Sequence, residues 1–269
     1  MSVAEIGIIG GSGFYQLLQG GRELTVQTAY GAPSDVISVG EIAGRNCGFI
    51  PRHGRRHRLP PHMIPYRANI FAFKELGVTQ VIGVTAVGAL TDEHQVGDIV
   101  LGDQLVDFTH GKRNDTFFDG PITTHIGFAE PYCPAMRQAA IDAAKETGVA
   151  CKDTGTIVVT NGPRFSTRAE SAFFAAQGWH LENMTQYPEA VLARELTLSY
   201  LNISVVTNSH VSARETGEGE LANAAEVVNV FEERMADLLT LLKGILRALP
   251  PGEERPEFIR SVLDDARWV

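Results

Sequence analysis

Five short runs of this chain are built almost wholly from apolar and β-branched residues: Ile6–Ile9, Val81–Ala86, Ile99–Gly102, Thr156–Thr160 and Ser204–Asn208. A strand with water on one face alternates apolar and polar residues. A strand covered on both faces does not. These runs therefore predict strands buried between helices. The segments between them carry helical patterns at Arg67–Leu76, Pro134–Glu146, Thr167–Ala176 and Pro188–Leu196. A longer helix is expected from about Ala222 to Leu246. There Ala224, Val228, Phe231, Met235, Leu238, Leu242 and Ile245 keep a three-to-four spacing. Strands alternating with helices predict an α/β fold: a single domain with a central mixed, mostly parallel β-sheet flanked by helices. All of residues 1–269 is read as one domain. Pro250–Glu254 is its one linker-like stretch. The C-terminal tail spans 249–269, and its part after the linker, Pro256–Val269, is expected as a short helix on the surface or on a neighbouring subunit.

Bulk charge narrows the partners. The formal net charge is −9 and the pI is near 5.4, which argues against nonspecific binding to nucleic acid or to an anionic membrane. The chain has neither a basic N-terminus leading into an apolar run nor an apolar stretch of about 18 residues. Cys47, Cys133 and Cys151 stand apart, with no CxxC spacing. Together these features predict a protein of the cytoplasm, without disulfides or structural zinc.

In sheets of this kind ligands sit beyond the carboxyl ends of strands. Four runs lead into residues of useful chemistry: Gly10–Gly13, Thr85–Gly88, Asn161–Ser166 and Thr207–His210. We expect these to converge on one cleft. Gly10-Gly11-Ser12-Gly13 exposes backbone N–H groups suited to an anion. It reads equally as a tight turn from strand to helix. It lacks the third glycine of a dinucleotide fingerprint, the Gly-Lys-Ser/Thr of a Walker A loop and the last glycine of a G-x-S-x-G elbow.

A second segment packs three arginines and two histidines into Arg52–His57, on an acidic chain. Arg55, Arg56 and Arg58 read as a solvated basic loop. Arg52 and His53 differ because they follow an apparent strand end at Phe49-Ile50-Pro51. An arginine there can hold a phosphate through two N–H groups at once. His53 and His57 have a spacing found in helical metal sites, but the adjoining prolines and arginines argue against a cation. Other positions have plain readings beside functional ones. Thr85 can be a satisfied β-branched residue, Phe165 core, Met184 packing and Thr185 a cap. Asn208 and His210 are polar groups ending a buried strand, and must find partners in the protein or in a ligand.

Taken together, these segments resemble the 5′-methylthioadenosine phosphorylase branch of the trimeric purine nucleoside phosphorylase family. The likeness runs from Ile6 to about Leu246. It is carried by Ile8–Gly13, Pro51–Gly54, Thr85–Leu90, Gly162–Glu170, Asn183–Thr185 and Pro188-Glu189. The resemblance implies phosphorolysis, in which inorganic phosphate attacks the anomeric carbon of a purine nucleoside. No cofactor is implied beyond phosphate as co-substrate, and no metal. By family position Ser12, Arg52, His53, Thr85 and Thr185, with the Ala86 backbone, would hold phosphate. Met184 would lie along the ribose. Phe165, Ser166 and the Asn208 loop, with His210, would surround the base. His125 would reach into the neighbouring subunit's site, which implies a homo-oligomer, either a trimer or a dimer of trimers. His53 and Asn208 are the expected catalytic groups.

Glycosyl transfer gives the sugar positive charge and the base negative charge. A phosphate dianion suits the first, and a group at purine N7 must stabilise the second. Family members acting on 6-aminopurines have aspartates where this chain has Asn208 and His210. A carboxylate only accepts hydrogen bonds, whereas an asparagine can donate to a 6-oxo group and accept from a protonated N7. The expected substrates are therefore 6-oxopurine nucleosides, inosine or guanosine, giving base and ribose 1-phosphate. At the 5′ end of the sugar the last helix offers Ala224, Val227 and Val228, all apolar. This supports an alternative, a 5′-methylthio nucleoside of hypoxanthine or adenine. Val228 reads equally as a core residue.

Overall fold

The computed structural model describes residues 2–11, 17–18, 21–121, 123–211 and 224–250. Its strands are β1 (Ile6–Gly10), β2 (Arg22–Leu24), β3 (Ile37–Ile42), β4 (Arg45–Pro51), β5 (Gln80–Ala89), β6 (Ile99–Val100), β7 (Gln104–Phe108), β8 (Cys151–Lys152), β9 (Thr156–Thr160), β10 (Leu181–Asn183) and β11 (Ser199–Ser209). The α-helices are α1 (Tyr66–Glu75), α2 (Pro134–Thr147), α3 (Arg168–Ala176), α4 (Gln186–Glu195), α5 (Ala224–Glu233) and α6 (Met235–Ala248). The strands join one 11-stranded sheet in the order β2-β3-β4-β1-β5-β10-β9-β7, with β11 on β5 and then β6 and β8. The centre, β4-β1-β5-β11, is parallel, and β2-β3-β4 forms an antiparallel flank. This is the expected α/β fold with a mixed, mostly parallel sheet.

The period of two along each strand sends neighbouring side chains to opposite faces. Ile8 of β1, Ile82 and Val84 of β5 and Ile203 of β11 pack with Ala140 of α2 and Leu242 of α6. Ile9, Val81 and Tyr200 point the other way, against Phe73 of α1 and Ala193 of α4. Both faces are covered, which is why these strands read as unbroken apolar runs. Among the described residues, no helix is long and apolar enough to cross a membrane.

Three expectations need correction. The single helix at 222–246 is two helices, parted at Arg234, whose dihedrals are φ −88° and ψ −1°. Leu238 N–H still donates to Arg234 C=O at 3.0 Å, so the apolar spacing runs through the break and hides it. Residues 222–223 lie outside the described residues, as does the tail from 251. The strand expected to end at Ala86 runs on to Ala89. The strand expected to start at Ser204 starts at Ser199.

Candidate active site

The extra length of β5 creates the site. β5 runs beside β1 only as far as Gly83, opposite Ile9. From Gly88 the same edge pairs with β10 instead. Between these two points the sheet opens. Thr85 and Ala86 are thus not at a strand end but in the middle of a strand, where it changes neighbours. Two side chains bridge the gap. Arg52 Nη1 donates to Val84 C=O at 2.9 Å, and Asn183 Nδ2 donates to Ala86 C=O at 2.9 Å. In extended chain the N–H and C=O of one residue point to the same edge, so the Ala86 N–H faces the same opening.

A cavity of about 650 Å³ sits over this opening, within the size range of small-molecule sites. Arg52, His53, Thr85, Ala86, Thr185, Met184, Phe165, Asn208, His210 and Val228 all line it. The four segments expected to converge do so: Gly11, Thr85–Gly88, Pro163 with Phe165, and Thr207 with Asn208 are all on its wall. Ser12 lies outside the described residues. His125 is exposed and is not on the wall. Ser166 is not on the wall either; its hydroxyl donates to Glu182 Oε1.

Arg52 is 1% exposed, and its fork is already occupied. Nε and Nη2 both donate to Glu189, each at 2.8 Å, and Nη2 also donates to Ile9 C=O at 3.1 Å. The expectation that this arginine offers two N–H groups to phosphate is therefore corrected. The fork is closed by Glu189, and one Nη1 hydrogen remains beyond the bond to Val84. Burial opposes the Arg52 charge, but the Glu189 carboxylate overrides it and raises the pKa. Tyr200 Oη donates to Glu189 Oε1 at 2.8 Å.

His53 is buried and neutral. Burial lowers its pKa to about 3, with help from His57, whose ring stacks on it at 4.0 Å. His53 Nδ1 lies 2.8 Å from Leu59 C=O. A carbonyl only accepts, so Nδ1 carries the proton and Nε2 keeps its lone pair. The solvated reading of Arg55 and Arg56 fits their exposure, and Arg55 pairs with Glu23. Arg58 is exposed as well, yet lies on the cavity wall.

Behind the wall is a buried polar network that sequence reasoning missed. Tyr132 Oη donates to Gln186 Oε1. Gln186 Nε2 and Asn202 Nδ2 donate to Thr85 Oγ1 at 3.2 and 3.1 Å. Ser204 Oγ donates to Asn202 Oδ1 at 2.6 Å. Two donors thus hold the Thr85 oxygen, leaving its own hydrogen for Ser204 Oγ at 3.1 Å or for a ligand. The available signal was polar Asn202 and Ser204 on one face of a buried strand. Thr185 does not cap α4 with its side chain. Asn183 Oδ1 does so, accepting from the N–H groups of Thr185 and Gln186 at 2.7 and 2.8 Å. Arg113 was also missed. It is 8% exposed and donates to the carbonyls of Asn161 and Met184 at 3.0 and 2.7 Å. Its setting in a polar, loop-like stretch gave no sign of this.

At the other end, the β11 register slips between Val206 and Asn208. A bulge of this kind re-aims side chains, and here it turns Asn208 toward the cavity. Asn208 Nδ2 and His210 Nε2 are 3.4 Å apart, and His210 Nδ1 is 3.2 Å from Ser171 Oγ. Gly88 lies beneath them. A Cβ there would come within 2.7 Å of Asn208 Nδ2 and 2.8 Å of His210 Nε2.

The cavity therefore offers hydroxyls, a histidine lone pair, an outward N–H and one arginine hydrogen at its floor, with an amide and an imidazole at one end. Comparisons with known proteins agree with that chemistry. The pattern of the phosphorylase superfamily matches residues 5–247. A purine nucleoside phosphorylase of Streptomyces coelicolor is 47% identical over 260 residues, covering 94% of this chain and 91% of that protein. An S-methyl-5′-thioadenosine phosphorylase of Thermococcus kodakarensis is 48% identical over 250 residues, covering 93% and 94%. The solved structure of a methylthioadenosine phosphorylase from Schistosoma mansoni, in complex with adenine, superposes with a TM-score of 0.88. It is 32% identical, with 97% of this chain and 99% of that one covered. The chain belongs to the phosphorylase superfamily, and within it is an enzyme of the nucleoside phosphorylase kind.

Proposed function

We propose that the enzyme phosphorolyses 5′-methylthio purine nucleosides, with a 6-oxopurine as the preferred base. Phosphate would rest on the floor over the opening in the sheet, held by the Ala86 N–H, the Thr85 and Thr185 hydroxyls, the remaining Arg52 hydrogen and His53. Ser12 is assigned the same role by family position alone. Neutral His53 Nε2 is an acceptor, suited to the P–OH of a monoprotonated phosphate. A phosphate oxygen attacks the anomeric carbon as the bond to purine N9 breaks. The electron pair of that bond passes into the purine ring, and the ring takes a proton from solvent at N7. Asn208 faces N7 and O6, and stabilises the charge that gathers there. Met184 lies along the sugar and Phe165 against the base.

The observation that carries this reading is the apolar end of the cavity, formed by Val227, Val228 and Phe231. It suits a methylthio group better than a 5′-hydroxyl. The names of the Thermococcus and Schistosoma relatives point the same way. They favour a methylthio sugar over the plain ribose expected from the sequence. The Streptomyces relative's name keeps purine nucleosides in general within reach. His125, exposed and away from its own cavity, would complete the site of a neighbouring copy in a trimer or a dimer of trimers.

The test is turnover of methylthioinosine, methylthioadenosine, inosine, guanosine and adenosine, each with and without phosphate. We expect phosphate-dependent release of hypoxanthine, fastest from methylthioinosine. Asn208→Asp should move activity toward adenine nucleosides. Release of base without phosphate, or a faster reaction of inosine than of methylthioinosine, would contradict the proposal.

A further inference from the structure

The groups assigned to phosphate carry no net charge between them. Arg52 is positive, but Glu189 neutralises it through two bonds of 2.8 Å. His53 is neutral, and the others are hydroxyls and a backbone N–H. Burying a dianion with no opposite charge nearby is costly. Arg58 is a second cation on the wall, but it is exposed, where water and salt screen its charge. The balance calls for a buried cation near the floor that no carboxylate already neutralises.

Arg113 is such a cation. It is 8% exposed, and every acceptor it reaches is neutral. Nε donates to Asn161 Oδ1 at 3.4 Å. Nη1 donates to Tyr66 Oη at 3.2 Å and to Tyr187 C=O. Nη2 faces the carbonyls of Thr160, Asn161 and Met184 at 3.3, 3.0 and 2.7 Å. None of the ion pairs among the described residues includes it. Glu189 and the exposed Asp107 act on it only from a distance, and Glu189 is already committed to Arg52. Burial lowers the Arg113 pKa, but a guanidinium keeps its charge at neutral pH. The group also lies 5.2 Å from the Tyr66 ring centroid, where the ring face favours a cation. Its carbonyl partner Met184 lines the cavity and is followed directly by Thr185, one of the hydroxyls assigned to phosphate.

We propose that Arg113 supplies the opposite charge for the bound phosphate dianion, acting across the Met184–Thr185 wall through its field and not by contact. This rests on the phosphorolysis reading and adds a residue to its phosphate site. Contact is ruled out because the protein's own acceptors engage all the N–H groups of Arg113. Neutral acceptors hold the guanidinium in place without cancelling its charge, whereas a carboxylate partner would do both. A buried cation without a carboxylate and a buried dianion without a cation are each costly, and together they offset one another. Arg113 touches neither phosphate nor sugar, so it is a positioning residue that sets the field in which the anion is held.

The experiment compares sulfate with perchlorate. Both are tetrahedral, neither carries a proton for His53 to accept, and sulfate has the greater charge. Binding of each to the wild type, Arg113→Gln and Arg113→Lys is measured by titration calorimetry without nucleoside. We expect the wild type to bind sulfate more tightly than perchlorate by about 10-fold or more, and Arg113→Gln to bring the two within about threefold of each other. Arg113→Lys keeps the charge while giving up most of the hydrogen bonds, so it should keep the preference for sulfate. A loss of packing alone would weaken both anions alike and leave their ratio unmoved. Equal binding of the two anions by the wild type would overturn the proposal, with no variant needed. So would a folded Arg113→Gln that keeps the wild-type ratio, or an Arg113→Lys that loses it. A wild type that prefers sulfate but releases no base from any purine nucleoside with phosphate present would overturn the phosphorolysis reading and not the charge assigned to Arg113.

Discussion

Arg52 shows how far one residue can be read from the sequence. Its position after a strand end was legible, and so was its place in a site. Its partner was not. Glu189 is 137 positions away, and nothing local in the sequence joins the two. The pair is almost fully buried, at 2% and 1% side-chain exposure. Removing one member of such a pair leaves an uncompensated charge, so Glu189→Gln should cost about 3–5 kcal/mol of stability in urea unfolding. It should also free the Arg52 fork and change KM for phosphate more than KM for nucleoside. Equal changes in both constants would contradict the role given to Arg52. His53 makes a prediction about pH. The folded chain keeps it neutral down to about pH 3, whereas an unfolded chain protonates it near 6.5. Its stabilising contribution is therefore complete above pH 6.5 and is lost as pH falls toward 3. Glu182, whose pKa is raised, acts with the opposite sign and favours the fold at low pH. The urea midpoint should fall between pH 6.5 and 4, and His53→Asn should flatten that fall. An unchanged slope would contradict a buried, neutral His53.

At the scale of elements, the apolar strands were legible because both of their faces are covered. The change of neighbours along β5 was not. Val84–Val87 look the same in sequence whether or not a strand lies beside them, so the opening in the sheet left no trace. The bulge at Thr207 was equally silent, since it is a matter of register. The break at Arg234 was hidden by a spacing that continues across it. The start of α3 is the opposite case. Thr167 Oγ1 accepts from Glu170 N–H at 3.2 Å, and Glu170 accepts from Thr167 N–H at 2.7 Å. This capping box can be read from residue types alone. Thr167→Ala should cost about 1 kcal/mol in thermal or urea unfolding and leave the choice of base unchanged. Gly88→Ala should do the reverse. It pushes on Asn208 and His210 and should reduce turnover of 6-oxopurine substrates more than it reduces stability. If the Gly88 variant keeps full activity, the base does not sit over Gly88.

For the whole molecule, the sheet brings together segments as distant as Gly11 and Phe231 around one cavity. The sequence named most of its wall, because polar residues at the ends of buried strands have few other uses. It missed the groups behind the wall, such as Gln186, Asn202 and Arg113, most of whose partners are distant in sequence. The central claim concerns the whole cleft: its floor is built to deliver phosphate, not water, to the anomeric carbon. The most direct test is to run methylthioinosine to completion with excess phosphate and follow the sugar product by phosphorus NMR. The account predicts a sugar 1-phosphate formed in equal amount to free hypoxanthine. Free methylthioribose, with phosphate unconsumed, would contradict it.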